Sequence, residues 1–238
     1  MEKILAIFKK EFKSYFVSPI AYVFITVYLV ISSFLFFQTF FINNQADMRG
    51  YFQFLPWIFL FFVPAITMRS WAEERKAKTL ELLLTWPVSD FEVVAGKFLA
   101  AFGFLAVGIL LSMTIPITIM IIGKPDLGPI MGGYLGALLM GGAYLAIGMW
   151  ISSYTENQII AFILGVVATF VFFIIGSPFI VVFAPNVLAP LFTFLGLGTH
   201  FESIERGVID SRDIIYYCSI VGFFLFLNIQ SLASRKWE

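Results

Sequence analysis

The side chains able to do chemistry in this sequence are few and crowd into one stretch, Arg69 to Lys97. Its paired carboxylates, Glu73 and Glu74 with Lys78 close by, are the obvious candidates for acid–base work or for holding a metal. Intramembrane metal chemistry also calls for histidines, and His200 is the only histidine among 238 residues. Gly176-Ser177-Pro178 lacks the flanking pattern of a nucleophile elbow. No GxxxxGK[ST] motif occurs, so the chain has no phosphate cradle for ATP. The single cysteine, Cys218, excludes an internal disulfide or a CxxC cluster. The expectation is a chain with no catalytic residues, no metal and no cofactor of its own.

What Arg69 to Lys97 does offer is a surface for another protein. Residues 71 to 85 are good helix formers, Glu74 and Lys78 stand at i,i+4 spacing, and Pro87 stops the run. Leu80, Leu82, Leu83 and Leu84 cannot all lie on one lipid-facing side of such a helix. A helix with both charges and surplus leucines suits a protein partner, although leucines snorkelling into a bilayer give the same periodicity.

The elements around this stretch are read from hydropathy. The chain is 60% hydrophobic, 18% aromatic and only 13% charged, with mean hydropathy +0.94, too few charges to wet a soluble surface. Six stretches lack Asp, Glu, Lys and Arg: 20–42, 51–68, 98–122, 130–151, 159–183 and 214–232. Apolar at every position rather than at alternate ones, they read as transmembrane helices and not as barrel strands. None contains Asp, Glu, Lys, Arg or His, which argues against an ion-coupled carrier or a voltage sensor. With the amino terminus inside, 11 Lys and Arg fall on cytoplasmic pieces against 4 outside, so both termini are expected in the cytoplasm. The inside loop 152–158 fits least, having no positive charge. The equal totals of 15 basic and 15 acidic residues give no pull toward nucleic acid.

The basic start and the apolar run after it are too long and lack the cleavage site for a signal peptide. Residues 1–19 read as an amphipathic helix on the membrane surface, with Ile4, Leu5, Phe8, Phe12, Tyr15 and Phe16 opposite Lys3, Lys9, Lys10 and Lys13. In span four, small residues recur at 132/136, 137/141 and 142/146, a spacing that brings helix backbones close, within the chain or between two copies.

The elements Glu-Glu-Arg, Thr-Leu-Glu-Leu-Leu-Leu-Thr, Pro-Val-Ser and Gly96-Lys97 in Trp71 to Lys97 resemble the first cytoplasmic loop of ABC type-2 transporter permeases. Ser152-Ser153-Tyr154-Thr155-Glu156-Asn157-Gln158 resembles a second short signature of that family, in particular of its gliding-motility-associated branch. The resemblance implies an all-α integral membrane fold: six transmembrane helices, an elbow helix at residues 2–16, a cytoplasmic coupling helix and an outer re-entrant hairpin over 178–207. It implies a permease subunit of an ATP-driven exporter in a prokaryotic plasma (inner) membrane. A separate ATPase subunit holding ATP and Mg would dock on Trp71, Glu73, Glu74, Arg75, Lys78, Thr79, Leu80, Glu81, Leu82, Leu83 and Thr85. Thr155, Glu156 and Asn157 would be a secondary contact. A second permease subunit, identical or not, would complete the pathway, with membrane lipid and an auxiliary periplasmic or membrane subunit as further partners. The alternative is a non-transporting scaffold or mechanotransmission subunit using the same ATPase docking. Substrate identity and substrate-pathway residues are not legible.

Overall fold

A computed structural model describes residues 2–43, 47–79, 88–123 and 125–234, and every regular element among them is a helix. In chain order they are α1 (Glu2–Val17), α2 (Pro19–Asn43), α3 (Arg49–Thr67), α4 (Ala72–Lys76), α5 (Asp90–Leu111), α6 (Thr114–Ile122), α7 (Leu127–Ser152), α8 (Gln158–Ile174), α9 (Pro178–Val181), α10 (Ala189–Leu195), α11 (Leu197–Glu205) and α12 (Ser211–Ala233). Five helical stretches, Pro19–Ile42, Arg49–Lys76, Asp90–Ile122, Leu127–Ser152 and Ser211–Ala233, are long and apolar enough to cross a membrane. α8 is apolar but shorter, at 17 residues.

Polar side chains cap the starts of four of the helices. Ser89 Oγ accepts from the Glu92 amide at 3.3 Å while Glu92 Oε2 accepts from the Ser89 amide at 2.9 Å, a capping box opening α5. That backbone donor holds the Glu92 carboxyl below the usual carboxylate range. Asp126, Asn157 and Asp210 take the same part for α7, α8 and α12, accepting from Gly128, Ile159 and Arg212 amides.

α7 is the axis of the bundle. Its glycines let neighbours touch its backbone: a Cβ on Gly133 would collide with Phe52 of α3, and one on Gly141 would stand 2.5 Å from Leu105 of α5. Gly132 and Gly136 face Ile204 and Phe201 of α11, so the small-residue spacing serves packing inside the chain. α5 bends into α6 at Ser112–Met113, where Pro116 has no N–H to give the Ser112 carbonyl. Tyr134 of α7 donates its hydroxyl to that carbonyl at 3.1 Å.

α1 packs lengthwise on α5. A Cβ on Gly96 would lie 2.7 Å from Ile7, Gly103 faces Phe12, and Tyr15 stacks on Phe104 at 5.0 Å. The half-buried stripe is Ile4, Ile7, Phe8, Glu11, Phe12, Tyr15 and Phe16, so Ile7 and Glu11 join the expected arc while Leu5 stays exposed.

At the opposite end of the bundle the expected span 159–183 is corrected. α8 stops at Ile174, and Pro178 begins a separate turn, because Gly176 runs against Gly196: a Cβ on Gly196 would be 2.6 Å from the Gly176 Cα. The chain leaves this contact, carries exposed Phe179, Phe183 and Val187, and returns to it. α11 then packs into the bundle through fully buried Leu197, Phe201 and Ile204. α12 fixes the return. Tyr216 and Tyr217 donate hydroxyls to the Leu195 and Leu197 carbonyls at 2.6 and 2.7 Å. His200 lies 2.7 Å from Asp213 and stacks on Tyr216 at 3.8 Å. Gly207, at φ +87°, turns the chain where it presses on Gly128 and Pro129.

Candidate site for coupling to a partner subunit

The two stretches singled out by sequence meet in space at the end of the bundle that also holds α1. Past α3 the backbone turns over Ser152, the last residue of α7. The Ser152 hydroxyl accepts from the Trp71 and Ala72 amides, both at 3.3 Å, and donates to the Met68 carbonyl at 3.2 Å. One side chain from about eighty residues away thus satisfies two of the free donors at the start of α4. Trp71 is fully buried among Val93, Val94, Met149 and Leu232, so α4 is rooted in α5, α7 and α12.

Lys97 is the centre of charge. Only 6% of its side chain is exposed, and its ammonium lies 2.7 Å from Glu74, 3.4 Å from Glu11 and 5.2 Å from the centre of the Trp71 ring. A buried cation persists when counter-charges surround it, and here two carboxylates and an aromatic face do so. The expected Glu74–Lys78 pair is therefore replaced by Glu74–Lys97. α4 ends at Lys76, and Lys78 adopts φ +54°, a left-handed turn that breaks a continuous helix over 71–85. Thr79 donates its hydroxyl back to the Glu74 carbonyl at 3.3 Å.

Arg75 ties α4 to the second signature, donating to the Ser153 carbonyl at 2.8 Å and standing 3.9 Å from Glu156. The loop without a positive charge of its own thus receives one from α4, and both lie on the same side of the bundle. Ser153 continues the chain of contacts to Ser231 of α12, 2.9 Å away. Thr155 and Asn157 are engaged in local hydrogen bonds: Thr155 Oγ1 accepts from the Asn157 amide at 3.1 Å, and Asn157 caps α8. Glu156 stays 67% exposed and, with Glu73, Lys76 and Lys78, forms the outward-facing charge here.

Of the residues expected to dock an ATPase, the structure brings Trp71, Glu73, Glu74, Arg75, Lys78, Thr79, Thr155, Glu156 and Asn157 into one region. Trp71 and Glu74 are directed into the bundle. Leu80, Glu81, Leu82, Leu83 and Thr85 lie outside the described residues. Sequence reasoning missed Ser152, Ser231 and Glu11 as members of the site. The available signal was Glu11, a carboxylate on the apolar side of an amphipathic helix, where an unpaired charge would be costly.

No group of three or more His, Cys, Asp or Glu able to hold a metal is present among the described residues. The contacts of the site join α1, α4, α5, α7 and α12. No curated protein matches the sequence. Residues 43–227, most of the chain and including both stretches that meet at this joint, match the family described as ABC-2 family transporter protein. The chain is thus a multi-pass membrane protein and belongs to the ABC-2 transporter family, whose permeases generally work with an ABC ATPase.

Proposed function

We propose that this chain is the permease subunit of an ABC exporter, moved by a separate ATPase that docks on α4 and the residues that follow it. In this reading α2, α3, α5–α6, α7, α8 and α12 are the six spans, α1 is an elbow helix at the cytoplasmic interface, and both termini are cytoplasmic in a prokaryotic plasma membrane. Residues 178–207 form the outer re-entrant segment. Two permease subunits, identical or not, enclose the pathway, and the 152–158 loop resembles the signature of the gliding-motility-associated branch. ATP and Mg belong to the partner, and this chain contributes no catalytic group.

The observation that carries the reading is the attachment of α4. Ser152, Lys97 and Arg75 join it to α7, to α5 and to the loop before α8, and Glu11 and Ser231 extend the joint to α1 and α12. A push on α4 is delivered to several spans together, which is what a lever biasing two arrangements of a bundle requires.

Two variants separate docking from transmission. Leu82→Ser with Leu83→Ser should abolish copurification of the ATPase, since each buried leucine contributes about 1.5 to 3 kcal/mol. Arg75→Ala should leave the ATPase bound while its hydrolysis loses its response to the permease. A double-serine variant that holds the ATPase as tightly as the parent would refute docking at this segment.

A further inference from the structure

Two cavities meet on the α1–α2–α3 side of the molecule, and their chemistry differs. The first, about 470 Å³, lies where α1 turns into α2 beside the end of α3, and its wall includes Lys10, Arg69, Ser70, Glu73 and the Glu74–Lys97 pair. The second, about 440 Å³, is an apolar groove between α2 and α3, flanked by Phe162 of α8 and reaching Leu35 and Phe54. Phe24 and Ala65 line both, so the polar cavity adjoins one end of the groove.

The charges in the first cavity are unevenly satisfied. Lys97 is committed to Glu11 and Glu74, and Lys10 lies 3.7 Å from Glu11. Arg69 and Glu73 have no ion pair among the described residues, and buried Arg69 Nε and Glu74 Oε2 have no hydrogen-bond partner there. An unmet guanidinium donor at Arg69 Nε, with the exposed Glu73 carboxylate on the same wall, suits a ligand carrying both an anion and an N–H cation. The groove sets the rest of the ligand. From Phe24 to Leu35, and from Ala65 back to Phe54, each helix rises about 16 Å, half of a hydrocarbon core of about 30 Å. A zwitterionic head at the mouth of an apolar channel one leaflet deep is the shape of a membrane phospholipid.

We propose that the joined cavities bind one ethanolamine phospholipid, its phosphate on Arg69, its ammonium on Glu73 and an acyl chain in the groove from Phe24 to Leu35. A choline head has no N–H to give Glu73. A glycerol head brings no cation, leaving Glu73 to face the phosphate.

The test uses the full-length chain without any ATPase, delipidated in mild detergent and titrated by native mass spectrometry. The probes are dioleoyl phosphatidylethanolamine, phosphatidylcholine and phosphatidylglycerol, with soluble phosphoethanolamine as the head without chains. The parent should retain one phosphatidylethanolamine about tenfold more tightly than phosphatidylcholine, the size expected of one charge-assisted hydrogen-bonded contact. Arg69→Gln should weaken retention by about the same factor. Glu73→Gln, at an exposed position with no packing role, should erase the difference between ethanolamine and choline heads, and Ala65→Trp should plug the junction. Equal retention of all three lipids by the parent means annular lipid only and overturns the site. So does a preference for phosphatidylglycerol, or phosphoethanolamine binding as tightly as the intact lipid.

Discussion

The two ends of this bundle are closed by different physics. At the α4 end a buried ammonium gathers two carboxylates and an indole, and a serine hydroxyl holds backbone amides from about eighty residues away. At the other end aromatic hydroxyls hold carbonyls, two glycines meet backbone to backbone, and the long excursion between them is left largely uncovered. Charge pairing ties separate elements while leaving each its own shape, which suits an end that must move as a unit. Close packing fixes one place along the chain and leaves what lies beyond it free to vary.

If that contrast is right, the α4 end should fail through charge and the far end through volume. Lys97→Ala should show the largest effect, about 3 kcal/mol or more, because it leaves Glu11 and Glu74 facing each other without their cation. Thermal unfolding in detergent should fall sharply and the segment after α3 should become open to protease, whereas Lys97→Arg should recover much of the loss. Gly196→Val should cost about 2 kcal/mol, since the new carbon meets the Gly176 backbone, which cannot turn aside as a side chain would. Its damage should register as faster hydrogen exchange in α11 and leave α4 unchanged. A Gly196→Val protein as stable as the parent would remove the idea that this contact sets the end of α8.

Ser152→Ala should cost about 1 to 2 kcal/mol by stranding the Trp71 and Ala72 amides. Exchange at those two amides should rise, and ATPase coupling should weaken in proportion. The smallest effect belongs to Glu205, at the far end, whose pKa is pushed up to about 7 by burial and by Glu202, against the pull of Arg206 and Arg49. The folded chain then holds this proton more firmly than the unfolded one, whose ordinary value is 4.5. Its contribution is greatest below about 4.5 and is lost as pH rises through about 7. Glu205→Gln should flatten that part of the stability profile.

How much of this was legible in the sequence follows the range of each force. The apolar stretches were readable because exclusion of charge is a property of each residue in place. The caps at Ser89, Asp126, Asn157 and Asp210 are local in the same sense. The early end of α8 was hidden, because Gly176 stops the helix only by virtue of Gly196, twenty residues on. The break at Lys78 was hidden for the opposite reason: alanine and lysine are good helix formers, and the tertiary bonds of Glu74 and Arg75 override that preference. α1, α4, the first turns of α5 and the 152–157 loop share one end in the structure through side-chain pairs that counting charges does not identify. Counting had no means of choosing Lys97 over Lys78 as the partner of Glu74.

The meeting of Gly176 and Gly196 has a consequence for how such a chain can change over evolutionary time. The chain departs from the bundle and rejoins it at a single point, so the segment between behaves as an exchangeable cassette. Doubling the length of a flexible loop between fixed ends costs only about 0.6 kcal/mol in closure entropy. Sequences of different length can be carried there while the helices beneath keep their register.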